Sequence, residues 1–346
     1  MKRFFKVFGG AFALICFIGI GVFMSCSTED SVQEALGLGS ESDSEPPVFL
    51  ECKAISGREL TFTFSHAVKV VTLNFEPVLE VESTSNGETV TVILKEALNE
   101  GDSITADLLV EDDAGNTLNV LVPFRARNNR IPKLLITELR TEYTKSKATE
   151  FVEFKTMEAG NLGALRLFIP GNTKNPLVFE FPVAEVAAGE YILVHLRTTD
   201  TDTGAANETG RDLGLSGGID TKDSARDFWV PGTDKLLHKT DIVYLMDQDD
   251  RVLDAVMMSE NADAAWSKEA FATAAEFLHQ QRAWASADGS VPGPKDAVIT
   301  ANIKTSLTRS VSRDEAAADT KSAANWYITA TSNATPGEPN STTRFE

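Results

Sequence analysis

Between Val48 and about Asn129 apolar and polar side chains alternate with a period of two, and clusters of turn formers interrupt the alternation. Leu60-Thr61-Phe62-Thr63-Phe64 shows the pattern plainly: successive side chains of an extended chain point to opposite faces, so Leu60, Phe62 and Phe64 share one. Val70 to Phe75, Thr89 to Leu94 and Ile104 to Val110 read likewise, and Val120 to Phe124 closes the series. Asn86-Gly87, Asn99-Glu100-Gly101-Asp102 and Asp112-Asp113-Ala114-Gly115-Asn116 lie between them, residue types that bend a backbone at low steric cost. Short strands at this spacing predict a small β-sandwich over residues 48–129.

A second β region, residues 130–346, opens with Leu134 to Glu138 and Glu150 to Phe154. Gly189 stands where a tight turn must precede the apolar run Tyr191 to Val194, and Asp241 to Asp247 followed by Val252 to Val256 reads as a hairpin. Trp326 is placed to cap a core with its ring. Arg309 lies between Leu307 and Val311, where alternation turns it inward and calls for a carboxylate such as Glu138 or Glu153. Two insertions interrupt the region. One, about 197–240, is polar and Gly-rich with an aromatic focus at Phe228-Trp229-Val230. The other, about 257–290, carries a helix that starts at Asp263-Ala264-Ala265-Trp266, with Asp263 as its N-cap. Trp266, Ala270, Phe277, Leu278 and Trp284 would then fall on one apolar side. The expected fold class is all-β: two tandem sandwiches, the second with a loop insertion and a helical insertion.

Two resemblances sharpen this expectation. The strand series ending in Val110 to Asn116 and Val120 to Phe124 resembles bacterial Ig-like domains of cell-surface proteins. Farther on, Leu134-Leu135-Ile136-Thr137-Glu138 with Glu150-Phe151-Val152-Glu153-Phe154 looks like the opening strand pair of a lamin-tail domain. Phe181-Pro182, Ala188 to Val194, the pair Asp241 to Asp247 and Val252 to Val256, and the closing run Ser306 to Arg309, Trp326 and Ala334-Thr335-Pro336-Gly337-Glu338-Pro339-Asn340 follow in that family's order. The resemblance implies that both sandwiches are Ig-like. It also implies a tethering or recognition role, since lamin-tail domains of exported bacterial proteins are often appended to a catalytic partner.

The chain begins with the cations Lys2, Arg3 and Lys6, an apolar run from Val7 to Met24, and Phe23-Met24-Ser25-Cys26. That order resembles a lipoprotein signal peptide, residues 1–25, ending in a lipobox whose Cys26 thiol is lipidated. Phe23 departs from the usual Leu. An uncleaved anchor or a plain secreted protein are the alternatives, and the acidic flank Ser27-Thr28-Glu29-Asp30 speaks against the anchor. Residues 26–47, rich in Ser, Glu, Asp and Gly and closed by Pro46-Pro47, read as a flexible acidic tether.

Composition then excludes several classes of function. The net charge of −19, less the 3 cations of the leader, becomes −22, which repels nucleic acid and anionic headgroups. With Cys16 in the leader and Cys26 lipidated, Cys52 stays alone and no disulfide framework exists. Neither a zinc spacing nor a phosphate loop is present, and His66, His195, His238 and His279 are scattered, so no cofactor, metal or catalytic residue is predicted. Asp112 to Asn116 offers about half the oxygens calcium requires and reads as a hairpin turn; Asp200 to Gly204 resembles only the start of a calcium loop. Gly214-Leu215-Ser216-Gly217-Gly218 has the nucleophile-elbow spelling without the strand before and helix after that expose such a serine.

The expectation is therefore a non-enzymatic lipoprotein, held extracytoplasmically on the cell membrane or outer membrane by its N-terminal lipid. Its partner would be an envelope protein or a surface ligand. An accessory subunit presenting an envelope enzyme is the runner-up, and a self-contained hydrolase comes third. Phe228 and Trp229 are the candidate partner-binding residues: exposed, they form an aromatic anchor; folded back, they cover an open sheet edge.

Overall fold

The computed structural model describes residues 45–141, 149–171, 176–199, 202–304 and 308–346; the leader, Cys26, the tether up to Ser44, Asp200-Thr201 and Ser306-Leu307 lie outside them. The first sheet contains β1 (Phe49–Ala54), β2 (Glu59–Glu76), β3 (Val81–Thr84), β4 (Gly87–Leu94), β5 (Ser103–Asp112) and β6 (Thr117–Arg125). They run antiparallel in the order β3-β4-β2-β5-β6, with β1 also on β2. Alternation sets the core: Leu60, Phe62, Val90, Val92, Ala106, Leu108 and Val110 are wholly buried. The sequence reads Leu60 to Phe64 and Val70 to Phe75 as two strands, whereas they form the single strand β2. No Gly, Pro or Asn between Ser65 and Lys69 turns the chain back. Two register irregularities instead let its first half pair with β4 and its second with β5.

The β5–β6 turn is closed by Asp112, whose Oδ1 accepts the N–H groups of Ala114 (2.9 Å) and Asn116 (2.8 Å), while Oδ2 accepts Asn116 Nδ2 (2.9 Å). Gly115 takes the left-handed backbone position at φ +87°. Asp247 repeats the arrangement later, its Oδ1 accepting the N–H groups of Asp249 (2.9 Å) and Arg251 (3.0 Å), with Asp250 at φ +60°.

The second region contains β7 (Lys133–Arg140), β8 (Phe151–Glu158), β9 (Gly160–Asn161), β10 (Arg166–Phe168), β11 (Leu177–Glu180), β12 (Glu185–Val186), β13 (Tyr191–His195), β14 (Ala225–Trp229), β15 (Asp241–Met246), β16 (Val252–Ser259), α1 (Glu269–Gln280), β17 (Val298–Ile299), β18 (Val311–Arg313) and β19 (Trp326–Ile328). One sheet runs β14-β13-β8-β7-β18-β19 and another β11-β10-β15-β16-β17, while β9 and β12 form a small ribbon. Ile136, Val152, Phe154, Ile192, Val194 and Phe228 of the first share a core with Leu167, Ile242, Leu245 and Val256 of the second. Trp326 closes this core as expected. The chain is thus all-β with a single twelve-residue α-helix among the described residues.

Residues 45–346 pack as one compact unit. Where the two regions meet, Arg127 grips Asp249 with two bonds (2.9 and 2.7 Å) and Asn128 Nδ2 donates to the carbonyls of Asn161 (2.7 Å) and Gly163 (2.9 Å). Gly101 sits so close that an added Cβ would lie 2.8 Å from Gly163 Cα, so only glycine permits the approach.

Helix α1 corrects the reading of the second insertion. It begins at Glu269, Lys268 is the N-cap and makes no side-chain cap bond, and Asp263 lies outside it. Phe271, Ala274, Ala275 and Leu278 form the buried stripe. Trp266 and Trp284 flank the helix and donate to the carbonyls of Pro292 and Asp296, each at 3.0 Å. Met257, Met258 and Ser259 belong to β16, so the insertion starts after the strand.

Candidate functional site

In β8 the alternation puts Val152 and Phe154 into the shared core and turns Phe151, Glu153 and Lys155 to the opposite face of the sheet. That face is not solvent. Phe151 and Glu153 are wholly buried, and Phe151, Tyr191, Leu193 and Ala225 make a small apolar cluster of their own. Register carries two rows across it. One runs Glu138, Glu153, Leu193, Asp227; the next runs Arg140, Phe151, His195, Trp229. The second is a stack, with the Arg140 guanidinium 4.8 Å from the Phe151 ring centre and the His195 and Trp229 rings 3.9 Å apart at 12°.

Stretches of 202–224 and 314–340 reach this face with polar groups, which is how so much charge stays buried. Glu208 accepts the backbone N–H groups of Asp227 and Ser216, both at 2.9 Å, and Asn207 Oδ1 accepts that of Trp229 at 2.8 Å. Side chains thus take the place a neighbouring strand would have along the edge of β14. Asp220 pairs with Arg140. On the other side Glu138 accepts from Ser310, Ser312 and Thr335, and Glu153 from Thr137 Oγ1 and the Gly337 N–H, both at 2.7 Å.

His195 Nε2 lies 2.7 Å from Asp227 Oδ1, and both residues are wholly buried. His195 Nδ1 and Asp227 Oδ2 meet no hydrogen-bond partner among the described residues. Burial pushes the Asp227 and Glu208 carboxyls up from the ordinary range, at Asp227 against the pull of His195. Ser216 belongs to the same cluster, yet its Oγ accepts from Trp229 Nε1 at 2.8 Å, so the indole meets the serine at its edge and the imidazole at its face. Serine, histidine and aspartate thus gather around the Trp229 indole, with the histidine and aspartate bonded to each other and the serine to the indole.

The expected partner anchor is corrected by the same geometry. Phe228 is wholly buried in the core against Phe179 and Phe181, and Trp229 is 6 % exposed. They lie on opposite faces of β14, an edge strand parallel to β13, so neither offers a surface to a partner. The carboxylate expected for Arg309 also proves different: its Nη1 donates to the Asn302 carbonyl at 2.6 Å and its guanidinium covers Phe345 at 3.9 Å. Glu138 and Glu153 are met by hydroxyl and backbone donors instead. Cys26 lies outside the described residues, and burial pushes the Cys52 thiol up to about 12.

The signal for this face was present in Glu138, Arg140 and Glu153, charged residues at sheet-facing positions of apolar strands. Glu208, Asp220 and the closing segment are joined to them only by the fold.

The architecture defines an all-β protein whose second region carries a covered polar sheet face. A family model described as "protein second domain" matches residues 132–328, more than half of the chain, and the chain belongs to that family. A protein of Treponema pallidum (strain Nichols), named "Uncharacterized protein", is 32 % identical over 127 residues, which are 35 % of this chain and 31 % of that one. The chain therefore spans about a third of that relative's length. The N-terminal part of the bacterial S-layer protein SbsC is 14 % identical, covers 62 % of this chain and 44 % of its own, and superposes with a TM-score of 0.24.

Proposed function

We propose that this protein is an exported lipoprotein acylated at Cys26, whose folded region is a non-enzymatic binding or structural module of the cell envelope. The observation that carries the reading is the order Lys2, Arg3, Lys6, the apolar run to Met24, then Ser25-Cys26 and an acidic flank. Support comes from two sides. Among the described residues no helix is long and apolar enough to cross a membrane, so the reading needs no second span. The resemblance of residues 134–340 to lamin-tail domains, which serve as appended recognition modules, fits a module that presents a surface rather than a reaction centre.

The test is lipid labelling of the full chain in a bacterial host. Labelled palmitate is expected on the wild type and absent from Cys26→Ala, with the variant released from the membrane fraction. Equal labelling of the two would overturn the assignment. Co-purification of an enzyme with the lipidated form would favour the accessory-subunit reading instead.

A further inference from the structure

The chain enters the first region at the end opposite to its joint with the second. Val48, just before β1, exchanges two bonds with Ser65: its N–H donates to Ser65 Oγ at 3.0 Å and its carbonyl accepts the Ser65 N–H at 2.9 Å. Ser65 Oγ lies 3.0 Å from His66 Nδ1, and His66 Nε2 lies 3.3 Å from Asp112 Oδ2, so the entry is beside the β5–β6 turn. From Asp112 the ten residues of β5 lead back to Ser103, which pairs with Arg125 where the joint begins. At the usual rise of an extended chain, roughly 30 Å of strand separate the two ends.

The joint itself is polar. The two apolar cores, one around Leu60 and Phe62 and the other around Ile136 and Phe154, are separate clusters. Arg125, Arg127 and Arg130, three cations within six residues of a chain with net charge −19, pair with Glu180, Asp249 and Glu185 of the second region. These pairs are partly exposed, so each holds weakly and yields to salt. Asn128 is different, being 2 % exposed with every polar group bonded. Its N–H donates to Gln248 Oε1 (2.8 Å), its carbonyl accepts Gln248 Nε2 (3.0 Å), its Oδ1 accepts the Arg130 N–H (2.9 Å), and its Nδ2 donates to the carbonyls of Asn161 and Gly163. The bonds to Gln248, Asn161 and Gly163 join neutral groups, so salt does not screen them, and bending would leave them unmet in a buried place. Beside them the backbones of Gly101 and Gly163 meet so closely that a Cβ added to either would lie 2.8 or 3.1 Å from the other's Cα.

We propose that residues 48–129 are a rigid spacer, which holds the second region about the length of β5 away from the point where the chain enters the fold, with Asn128 as the locking residue of the joint. A free joint would let the second region fold back beside the first; a locked one fixes both its distance and its orientation. The role belongs to the folded chain and is independent of acylation at Cys26.

Amide hydrogen exchange of the full chain tests this at Asn128 and Asn161, whose N–H groups donate to Gln248 Oε1 and to the Arg130 carbonyl (2.7 Å). Both are expected to exchange roughly a hundredfold or more slower than free amides, and to change less than about threefold between about 0.1 and about 1 M salt. Asn128→Ala is expected to speed Asn161 exchange about tenfold or more while Leu108 of β5 and Phe154 of β8 keep their protection. Arg127→Ala, which removes only a screened pair, is expected to change it less than about threefold. Fast exchange at Asn128 in the wild type, with β5 and β8 protected, would reveal a free hinge and overturn the proposal. A salt-dependent loss at both amides would place the lock in the ion pairs and overturn the role of Asn128. Should Asn128→Ala unfold, lowering protection at Leu108 as well, the wild-type salt series decides.

Discussion

Arg313 Nη2 lies 2.5 Å from Asp254 Oδ2, and this ion pair, about 5 % exposed at either end, ties the sheet containing β7 and β18 to the one containing β16. The same oxygen accepts the Ile136 N–H at 2.7 Å, Arg313 Nε donates to the Ile136 carbonyl at 2.7 Å, and its guanidinium lies 4.6 Å from the Trp326 ring centre. Asp254 thus serves a strand of one sheet from a strand of the other.

Removing Asp254 leaves the Arg313 guanidinium in a dry interior with Asp319, 3.1 Å from its Nη1, as its remaining carboxylate. Asp254→Ala is expected to cost roughly 3 kcal/mol in urea unfolding, because Arg313 Nη2 and the Ile136 N–H both lose their acceptor. Replacing both members by apolar residues of similar volume is expected to cost clearly less. Equal losses in the single and double variants would show that the pair's value lies in its own attraction and not in avoiding an orphaned charge.

Asp241 makes stability depend on pH in the direction opposite to ordinary acid unfolding. It is wholly buried, its Oδ1 has no hydrogen-bond partner among the described residues, and burial pushes its carboxyl from 3.8 up to about 7. The native state therefore binds the proton more tightly than the unfolded chain does. That contribution is complete below about pH 4 and is lost as the pH rises through about 7. Exposed carboxylates held low by basic partners, such as Glu80 beside Lys95, lose their contribution only in stronger acid. The melting temperature is expected to fall by roughly 5 °C from about pH 5.5 to about pH 8.5, and Asp241→Asn is expected to flatten that slope. Calorimetry of both proteins across the range checks it; a wild-type curve that rises with pH would contradict the assignment.

Trp229 is the third test, because its burial decides what the long 197–240 segment does. Truncation to Ala removes the His195 stack and the donor to Ser216 together, and is expected to destabilise the chain by roughly 3–5 kcal/mol. A near-normal unfolding curve combined with weakened capture of an envelope partner would restore the exposed-anchor reading.

The same residue shows where sequence reading stops. Alternation alone identified Leu60, Phe62, Val90 and Val92 as inward, since the period of an extended chain fixes facing without any knowledge of neighbours. Local residue type likewise located the turns at Asp112, where one side chain closes its own loop, and at Gly189, where φ is +87°. Each of these is a local matter of steric freedom or of hydrogen bonds a few residues long, so the residues that decide it are visible together.

What only the tertiary structure decided involves partners far apart in the chain. That β14 lies parallel to β13, burying Phe228 on one face and Trp229 on the other, depends on a crossover between Leu196 and Ser224 whose closure no local pattern encodes. Helix α1 begins at Glu269 rather than Asp263 because its buried stripe, Phe271 to Leu278, must meet β15, and the apolar surface it finds there outweighs a capping preference. Arg309 turned to Phe345, and Glu138 to Ser310 and Thr335, for the same reason. The sequence shows that a buried charge needs a partner, but which group satisfies it is settled by the packing of distant strands, where leaving it unmet costs more than any local preference can return.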